Sequence, residues 1–165
     1  MIVLDVEHSF PCDVDTFWRN FFDDELNRAI FINALAFPQY FVSDNNDNGE
    51  AIQRRIEVTP RVNVALARGL VAEQPKYVEI GIFDRKTKIY RFQTAPADGS
   101  NRLSTQGHIV TAPEGGQGCR RVVQLTIKSP LFGLGPLIER IAARAASESL
   151  EAVAQTARQL YAPRR

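Results

Sequence analysis

The stretch PLIERIAARAASESLEAVAQTARQL, residues 136–160, decides the fold. Charged side chains such as Glu139, Arg140 and Glu148 fall on one side of a helical projection, and Pro136 stands where a helix can begin without losing a hydrogen bond. The apolar positions of the opposite face are Leu134, Leu137, Ile138, Ile141, Ala145, Val153, Ala157 and Leu160. The spacing predicts a helix of about 24 residues, roughly 36 Å long at about 1.5 Å per residue, which can cross a whole sheet.

Upstream of this helix the pattern changes to that of strands. Residues 2–10 alternate apolar and polar side chains, as a strand with one buried face does. Pro11 ends this strand, and helical spacing then predicts two short helices, the second running to Leu35. Residues 45–49, rich in Asn and Asp and ending in glycine, predict a hairpin turn. Further strands are expected at 40–42, 50–58, 77–83, 89–94, 103–111 and 119–127, while residues 62–71 fit either a short helix or an apolar loop.

This order of elements predicts an α+β fold in a single domain, residues 1–165. A seven-stranded antiparallel sheet curves around the long C-terminal helix, and two short helices follow strand 1. The middle of the long helix, residues 142–152, is rich in alanine and serine, which leave space between helix and sheet. Two interpretations stay open. Large side chains of the sheet fill this space, or it forms an internal cavity for an apolar ligand.

The composition excludes several functions. Lysine and arginine total 20 against 19 aspartates and glutamates, so no excess positive charge is available to neutralise a nucleic-acid backbone. No segment approaches the ~20 apolar residues of a membrane-spanning helix. Asp5 and Glu7 stand where a secretory signal carries Lys or Arg, so we expect a soluble, cytoplasmic protein.

Patterns that indicate catalysis or metal binding are missing. The two histidines and two cysteines are too few and too far apart for a metal site, and neither a Gly-x-Ser-x-Gly elbow nor a glycine-rich phosphate loop occurs. We therefore predict no metal, no cofactor and no assigned catalytic residue. Cys12 and Cys119 are expected to be small buried side chains, although pairing of the first and last strands would bring them together and allow a disulfide.

Polar side chains interrupt several otherwise apolar strands. Some must point into solvent because strand side chains alternate. Any that face inward are candidates to orient a ligand, since an unpaired buried polar group costs about 1 to 3 kcal/mol. His108 is the first candidate, although apolar residues at 109 and 110 leave its direction open. The polar set is Glu79, Arg91, Gln93, Gln106, His108 and Gln124.

Three segments resemble the helix-grip superfamily, which contains the StAR-related lipid-transfer domains, bacterial polyketide cyclases and plant pathogenesis-related (Bet v-like) ligand binders. HSFPCDVDTFWRNFFD (8–23) is similar to its strand, proline and helix entry, and IKSPLFGLGPLIERIAARAASESLE (127–151) to its last strand and gripping helix. VTPRVNVALARGLVAEQPKYVEIGIFDRKTKIYRFQT (58–94) is similar to the sterol-binding VASt domains, the PRELI phospholipid carriers and an uncharacterised bacterial branch.

The resemblance implies that the protein binds and transfers a hydrophobic lipid, with a sterol favoured, in a cavity between the sheet and the last helix. Residues 62–71 would form a lid and residues 131–135 the loop beside it, and both would contact a membrane transiently during loading. No catalytic residue is implied. The expected ligand-binding residues are Leu66, Leu70, Glu79, Tyr90, Phe92, His108, Phe132, Leu134, Ile138, Ile141 and Ala145.

Two alternatives stay open beside the carrier, which predicts a dry cavity of roughly 300 to 1,000 Å³. An enzyme of the cyclase or dehydratase kind, acting on an aromatic or polyketide substrate, predicts that Glu79, His108 or Arg91 converge in the cavity with a perturbed pKa. A co-chaperone or interaction module of the same fold predicts a filled core and an exposed apolar patch.

Overall fold

A computed structural model describes residues 1–61 and 75–162 of the chain. The strands in these ranges form one antiparallel sheet in the order β1-β7-β6-β5-β4-β3-β2, so that β1 and β2 are its edges. They are β1 (Ile2–Phe10), β2 (Gln39–Asp47), β3 (Ala51–Thr59), β4 (Tyr77–Asp84), β5 (Ile89–Pro96), β6 (Ser104–Glu114) and β7 (Gly118–Lys128).

The helices lie at the two ends of the chain. They are α1 (Val14–Phe21), α2 (Asp24–Arg28), a π-helix (Ala29–Ala34) that continues α2, and the long C-terminal α3 (Gly135–Tyr161). The carboxylates of Asp13 and Asp23 cap α1 and α2 by accepting backbone hydrogen bonds, at 2.7 and 2.9 Å. Pro136 lies in the first turn of α3, where its missing N–H costs nothing.

The predicted α+β helix-grip architecture is confirmed: a seven-stranded antiparallel sheet with a long C-terminal helix and short helices after β1. Strand β2 continues to Asp47, beyond the predicted end at Val42, because its polar second half pairs with β3 without facing the core. The π-helical turn was not predicted, since six residues are too few for apolar spacing to separate helix types. The segment 62–71 lies outside the described residues.

The sheet has an inner face towards the helices and an outer face away from them. Helix α3 packs mainly against β1, and also contacts β7, α1 and the π-helix. The buried core therefore lies between this side of the sheet, α1 and α3. Of the helices in the described ranges, none is both long and apolar enough to span a membrane.

The cysteines are neighbours across the first and last strands. Phe10 pairs with Cys119 in the β1–β7 register, and Cys12 lies just beyond. Both are free and buried. Burial raises the pKa of both thiols, that of Cys119 to about 12, so both stay protonated at neutral pH. The pairing that would have allowed a disulfide is thus present, and the two side chains pack as thiols.

Candidate functional site

The space between the sheet and the helices divides into two halves, of which one is filled by aromatic rings. We define this packed half by the buried side chains Phe10, Phe17, Trp18, Phe83, Ala154, Ala157 and Tyr161. The Phe17 ring lies at its centre, 5.0 Å from the Phe10 ring, 5.2 Å from Trp18 and 6.0 Å from Tyr161 between centroids. Only 1% of Phe17 is exposed, so no room is left there for a ligand.

The other half is only partly closed. We define this open half by side chains that pack against the core without being fully buried: Phe92, Leu103, Ala142, Ala143, Ala146 and Leu150. Thr94 and Thr105, a cross-strand pair on the inner face of β5 and β6, are likewise half-exposed. The α3 alanines pack against the buried core, and α3 approaches β1 more closely than it approaches β4 to β6. Short side chains on the helix thus leave sheet residues incompletely covered.

A buried arginine lies where the two halves meet. Arg54, on the inner face of β3, is only 7% exposed. Its guanidinium lies 4.5 Å from the Phe21 ring centroid, 5.0 Å from Phe22 and 5.1 Å from Tyr90. Its Nη1 also donates a hydrogen bond to the Phe21 carbonyl at 3.3 Å. Ring faces and a carbonyl therefore hold this charge, and no carboxylate in the described ranges forms an ion pair with it.

Arg54 begins a chain of hydrogen bonds with a fixed direction. Its Nε donates to the Tyr90 hydroxyl (3.2 Å), and Tyr90 donates to Glu79 Oε1 (2.7 Å). A guanidinium can only donate and a carboxylate only accept, so the phenol proton must point towards Glu79. Burial, and then the charge of Glu79, raises the pKa of Tyr90, which keeps that proton. We call Arg54, Tyr90 and Glu79 the polar relay.

Glycine at position 81 makes the polar relay possible. A Cβ there would lie only 1.9 Å from the Tyr90 hydroxyl oxygen, so any other residue would displace the ring. Because Gly81 has no Cβ, the Tyr90 side chain can lie over β4 and reach Glu79. Glu79 is half-buried and pairs with Thr94 of the open half, so the relay ends at a carboxylate on the border of that space.

A second buried arginine belongs to the packed half. Arg121 Nη2 donates to His8 Nδ1 (2.8 Å), and His8 Nε2 lies 3.0 Å from Glu151 Oε2. Because arginine only donates, we infer that Nδ1 carries no proton and that Nε2–H donates to Glu151. Burial, followed by the charge of Arg121, lowers the pKa of His8. Burial also lowers the pKa of Arg121, to about 10.

His108 and Arg91 lie on the outer face, which corrects the expectation that they reach the interior. They are cross-strand partners, whereas the neighbouring Gly107 faces Phe92 and Leu125 inside. The sequence left this direction open, and the burial of Ile109 decides it, since residues 108 and 109 must point to opposite faces. Of Glu79, His108 and Arg91, which the enzyme hypothesis expected in the cavity, only Glu79 therefore lies on the inner face.

Two surface depressions stand out among the described residues, and neither lies between the sheet and α3. The first, of about 530 Å³, lies on the outer face and is lined by Ile80, Ile82, Arg91, Phe92, Gln93, Gln106, Gly107, His108, Gln124 and Thr126. The second, of about 540 Å³, lies beside α1, and the ion pairs of Asp15 with Lys88 and of Asp47 with Arg85 stand on its rim. The open half is thus partly covered in the described ranges, and the enclosed cavity stays a prediction.

The expected binding residues of the C-terminal region separate into two groups. Ile138 is buried and Ile141 half-buried on α3, whereas Ala145 is exposed to solvent. The prediction that Ala145 faces the interior is therefore wrong, because α3 turns Ala142 and Ala146 inward instead. Alanine is only weakly apolar, so the sequence pattern could not decide between these positions. Phe132 and Leu134 are exposed on the loop before α3, so they lie outside the interior as well.

The remaining expected residues divide in the same way. Tyr90 is buried in the polar relay, and Phe92 and Glu79 line or border the open half. Leu66 and Leu70 lie outside the described residues. Within the ranges that are described, no group of three or more His, Cys, Asp or Glu side chains could hold a metal ion.

Arg54 is the functional candidate that sequence reasoning missed. A signal was present, because Ile52, Arg54 and Ile56 alternate with polar residues and so share one face of β3. The type of residue works against this signal, because arginine is rarely fully buried. The same reasoning would have found Arg121, which stands between Cys119 and Val123 on the inward face of β7.

A long C-terminal helix packed against a seven-stranded antiparallel sheet is the architecture of the helix-grip fold. Truncated norcoclaurine synthase from Thalictrum flavum is similar in structure, with a TM-score of 0.66 and 15% identity over 99% of this chain and 95% of that one. The ZhuI aromatase/cyclase from Streptomyces sp. R1128 gives 0.64 and 11%, covering 96% of each chain. A START superfamily protein from Mycobacterium smegmatis gives 0.62 and 12%, also covering 96% of each.

At these identities the similarity shows the fold alone. The chain belongs to the family described as protein of unknown function DUF2505, which matches residues 5–160. No curated protein matches the sequence.

Proposed function

We propose that this chain, as a single domain, binds a hydrophobic small molecule in the open half of its interior and carries it as a lipid carrier, with a sterol as the favoured ligand. The observation that supports this most strongly is the incomplete closure of the open half. Phe92 and Leu103 on the sheet side, and Ala142, Ala143 and Ala146 on α3, are apolar and only partly buried.

Apolar surface that stays partly exposed gains free energy when a ligand covers it. Each 100 Å² removed from water contributes about 2.5 kcal/mol. A ligand body of sterol size could cover several of these side chains at once. One convergent set of polar groups, the polar relay, would orient its polar end, as is usual for small-molecule sites.

The loop between β7 and α3 offers a route for loading. Leu131, Phe132 and Leu134 are exposed there, and the side chain of Phe132 is fully exposed. The loop is anchored by the Ser129 N–H, which donates to Glu139 Oε1 at 2.9 Å. Exposed apolar side chains next to the exposed cations Lys128 and Arg140 suit a transient contact with an anionic membrane surface.

A cyclase-type enzyme is the second candidate, and the polar relay favours it. Similarity to an aromatase/cyclase and to norcoclaurine synthase shows the shared fold. In this candidate the Glu79 carboxylate would take up a substrate proton, and its hydrogen bond with Tyr90 would hold it in position. The interaction-module hypothesis required a filled core, and the half-exposed side chains of the open half argue against it.

Native mass spectrometry tests the carrier proposal. The purified protein would be delipidated and incubated with cholesterol, with phosphatidylcholine and with a polyketide-like aromatic such as emodin. The carrier proposal expects a one-to-one complex with cholesterol that survives gentle ionisation. Binding of the aromatic compound alone would favour the enzyme candidate over the carrier. An unchanged apo mass with all three compounds would overturn both the carrier and the enzyme candidates.

A further inference from the structure

The direction of the hydrogen bonds in the polar relay restricts the ligand that the open half accepts. Arg54 Nε must donate, so the Tyr90 oxygen is the acceptor and its only proton goes to Glu79 Oε1. The Tyr90 hydroxyl therefore has no proton left to donate to a ligand in the open half. The group at the end of the relay is a carboxylate, whose oxygens present acceptor lone pairs.

We infer that the open half selects ligands whose polar end is a hydroxyl group that donates to Glu79, and discriminates against ligands that end in a carboxylate or an ether. This inference rests on the proposed function, since it concerns the polar end of a ligand bound at the same site. A carboxylate ligand would meet the Glu79 carboxylate with like charge, and an ether would leave Glu79 without a donor.

The charge of the surroundings points to a neutral donor. Arg54 is a buried cation and Glu79 a half-buried anion, joined through Tyr90, so the polar relay is neutral as a unit. An ammonium group would also donate to Glu79, but removing its charge from water costs more free energy than removing a neutral hydroxyl from water. The relay is also rigid, because Tyr90 lies over Gly81 and three aromatic rings surround the guanidinium. Turning the Tyr90 proton towards a ligand would break its hydrogen bond to Glu79.

Three probes of equal chain length separate these possibilities: dodecan-1-ol, dodecyl methyl ether and dodecanoate. Each would be titrated against the protein loaded with Nile red, a neutral hydrophobic dye, and the displacement midpoint measured by fluorescence at pH 7.5. The alcohol is expected to displace the dye at a concentration about ten-fold or more below that of the other two, since a hydrogen bond to a charged acceptor supplies that ratio.

The variant Glu79→Gln tests whether the direction of the hydrogen bond between residue 79 and the ligand sets the selectivity. Its amide oxygen still accepts from Tyr90, which turns the amide NH₂ towards the ligand and makes it a donor. We expect the alcohol to lose its advantage and dodecanoate to improve by about ten-fold relative to the wild type. The matched control is Glu57→Gln on the outer face of β3, which removes the same charge and should leave the wild-type order of probes unchanged.

The outcomes separate the two proposals. Failure of all three probes to bind or displace the dye would overturn the proposed function, and the selectivity with it. Equal displacement by all three would leave a hydrophobic site in place and overturn the selectivity alone. Retention of the alcohol preference in Glu79→Gln, with the fold confirmed by circular dichroism, would also overturn the role given to the relay.

Discussion

The packed half and the open half are built on the same sheet and the same helix, yet they differ in what the helix presents. Near its C-terminus α3 meets aromatic side chains from β1 and α1, and Tyr161 closes on Phe10 at 5.8 Å between centroids. Near its middle it presents alanines that pack against the buried core, and Phe92 of β5 stays half-exposed. One region can thus supply stability while the other keeps surface available for binding. This division of roles is typical of sites carried on a stable scaffold.

The largest expected difference between the halves is in stability. Phe17→Ala removes a ring with only 1% exposure from the centre of the packed half and should lower the free energy of unfolding by about 3 to 5 kcal/mol. Phe92→Ala, the matched change in the open half, should cost about 1 to 2 kcal/mol because part of its ring already contacts water. Urea unfolding followed by circular dichroism measures both, and equal losses would contradict the division.

The boundary between the halves depends on Gly81. Gly81→Ala would push Tyr90 aside and break its bonds to Arg54 and Glu79, with an expected loss of about 1 to 3 kcal/mol. Gly116→Ala is the control, because a Cβ at Gly116 meets nothing within 4 Å and should change stability by less than about 0.5 kcal/mol. Similar effects of the two substitutions in thermal unfolding would argue against the close approach of Tyr90.

The packed half should weaken in acid through His8. Its pKa is lowered in the folded protein, so the unfolded chain binds the proton first, and stability is greatest above pH 6.5 and falls as the pH drops below it. The slope contributed by one such group is at most about 1.4 kcal/mol per pH unit. His8→Gln, measured by urea unfolding between pH 7.5 and 5, should show a flatter dependence than the wild type. An unchanged slope would mean that His8 is not held neutral.

The smallest expected effect on stability is at the loop before α3. Phe132→Ser replaces a fully exposed ring, so the free energy of unfolding should change by less than about 0.5 kcal/mol. Co-sedimentation with vesicles containing phosphatidylserine should nevertheless fall several-fold if this loop contacts the membrane. Undiminished sedimentation would remove the loop from the loading route.

The fold could be predicted from the sequence because its patterns are local. Alternation in residues 2–10 and helical spacing in 136–160 identify the first strand and the gripping helix directly. The direction of His108 could not be predicted, since it depends on which neighbour is buried across three strands. The polar relay could not be predicted as a unit either. It joins β3, β4 and β5, and only the register brings Arg54 to Tyr90.

The helix shows the same limit within one element. Ala145 and Ala146 are adjacent alanines, and the apolar pattern alone favoured Ala145 as the inward residue. Packing against β1 and β7 sets the rotation of α3 and turns Ala146 towards the core instead. A run of small residues indicates that a helix can lie close to a sheet, but tertiary contacts decide which of these residues face the sheet.

The most direct test of the account uses these two alanines. The dissociation constant of a fluorescent sterol would be measured by titration for the wild type, Ala146→Phe and Ala145→Phe, after circular dichroism has shown that all three are folded. If the open half is the binding site, the wild type binds, Ala146→Phe weakens binding by about ten-fold or more because its ring occupies the space, and Ala145→Phe binds as the wild type does. Equal affinity in all three proteins would contradict a ligand site between α3 and the sheet.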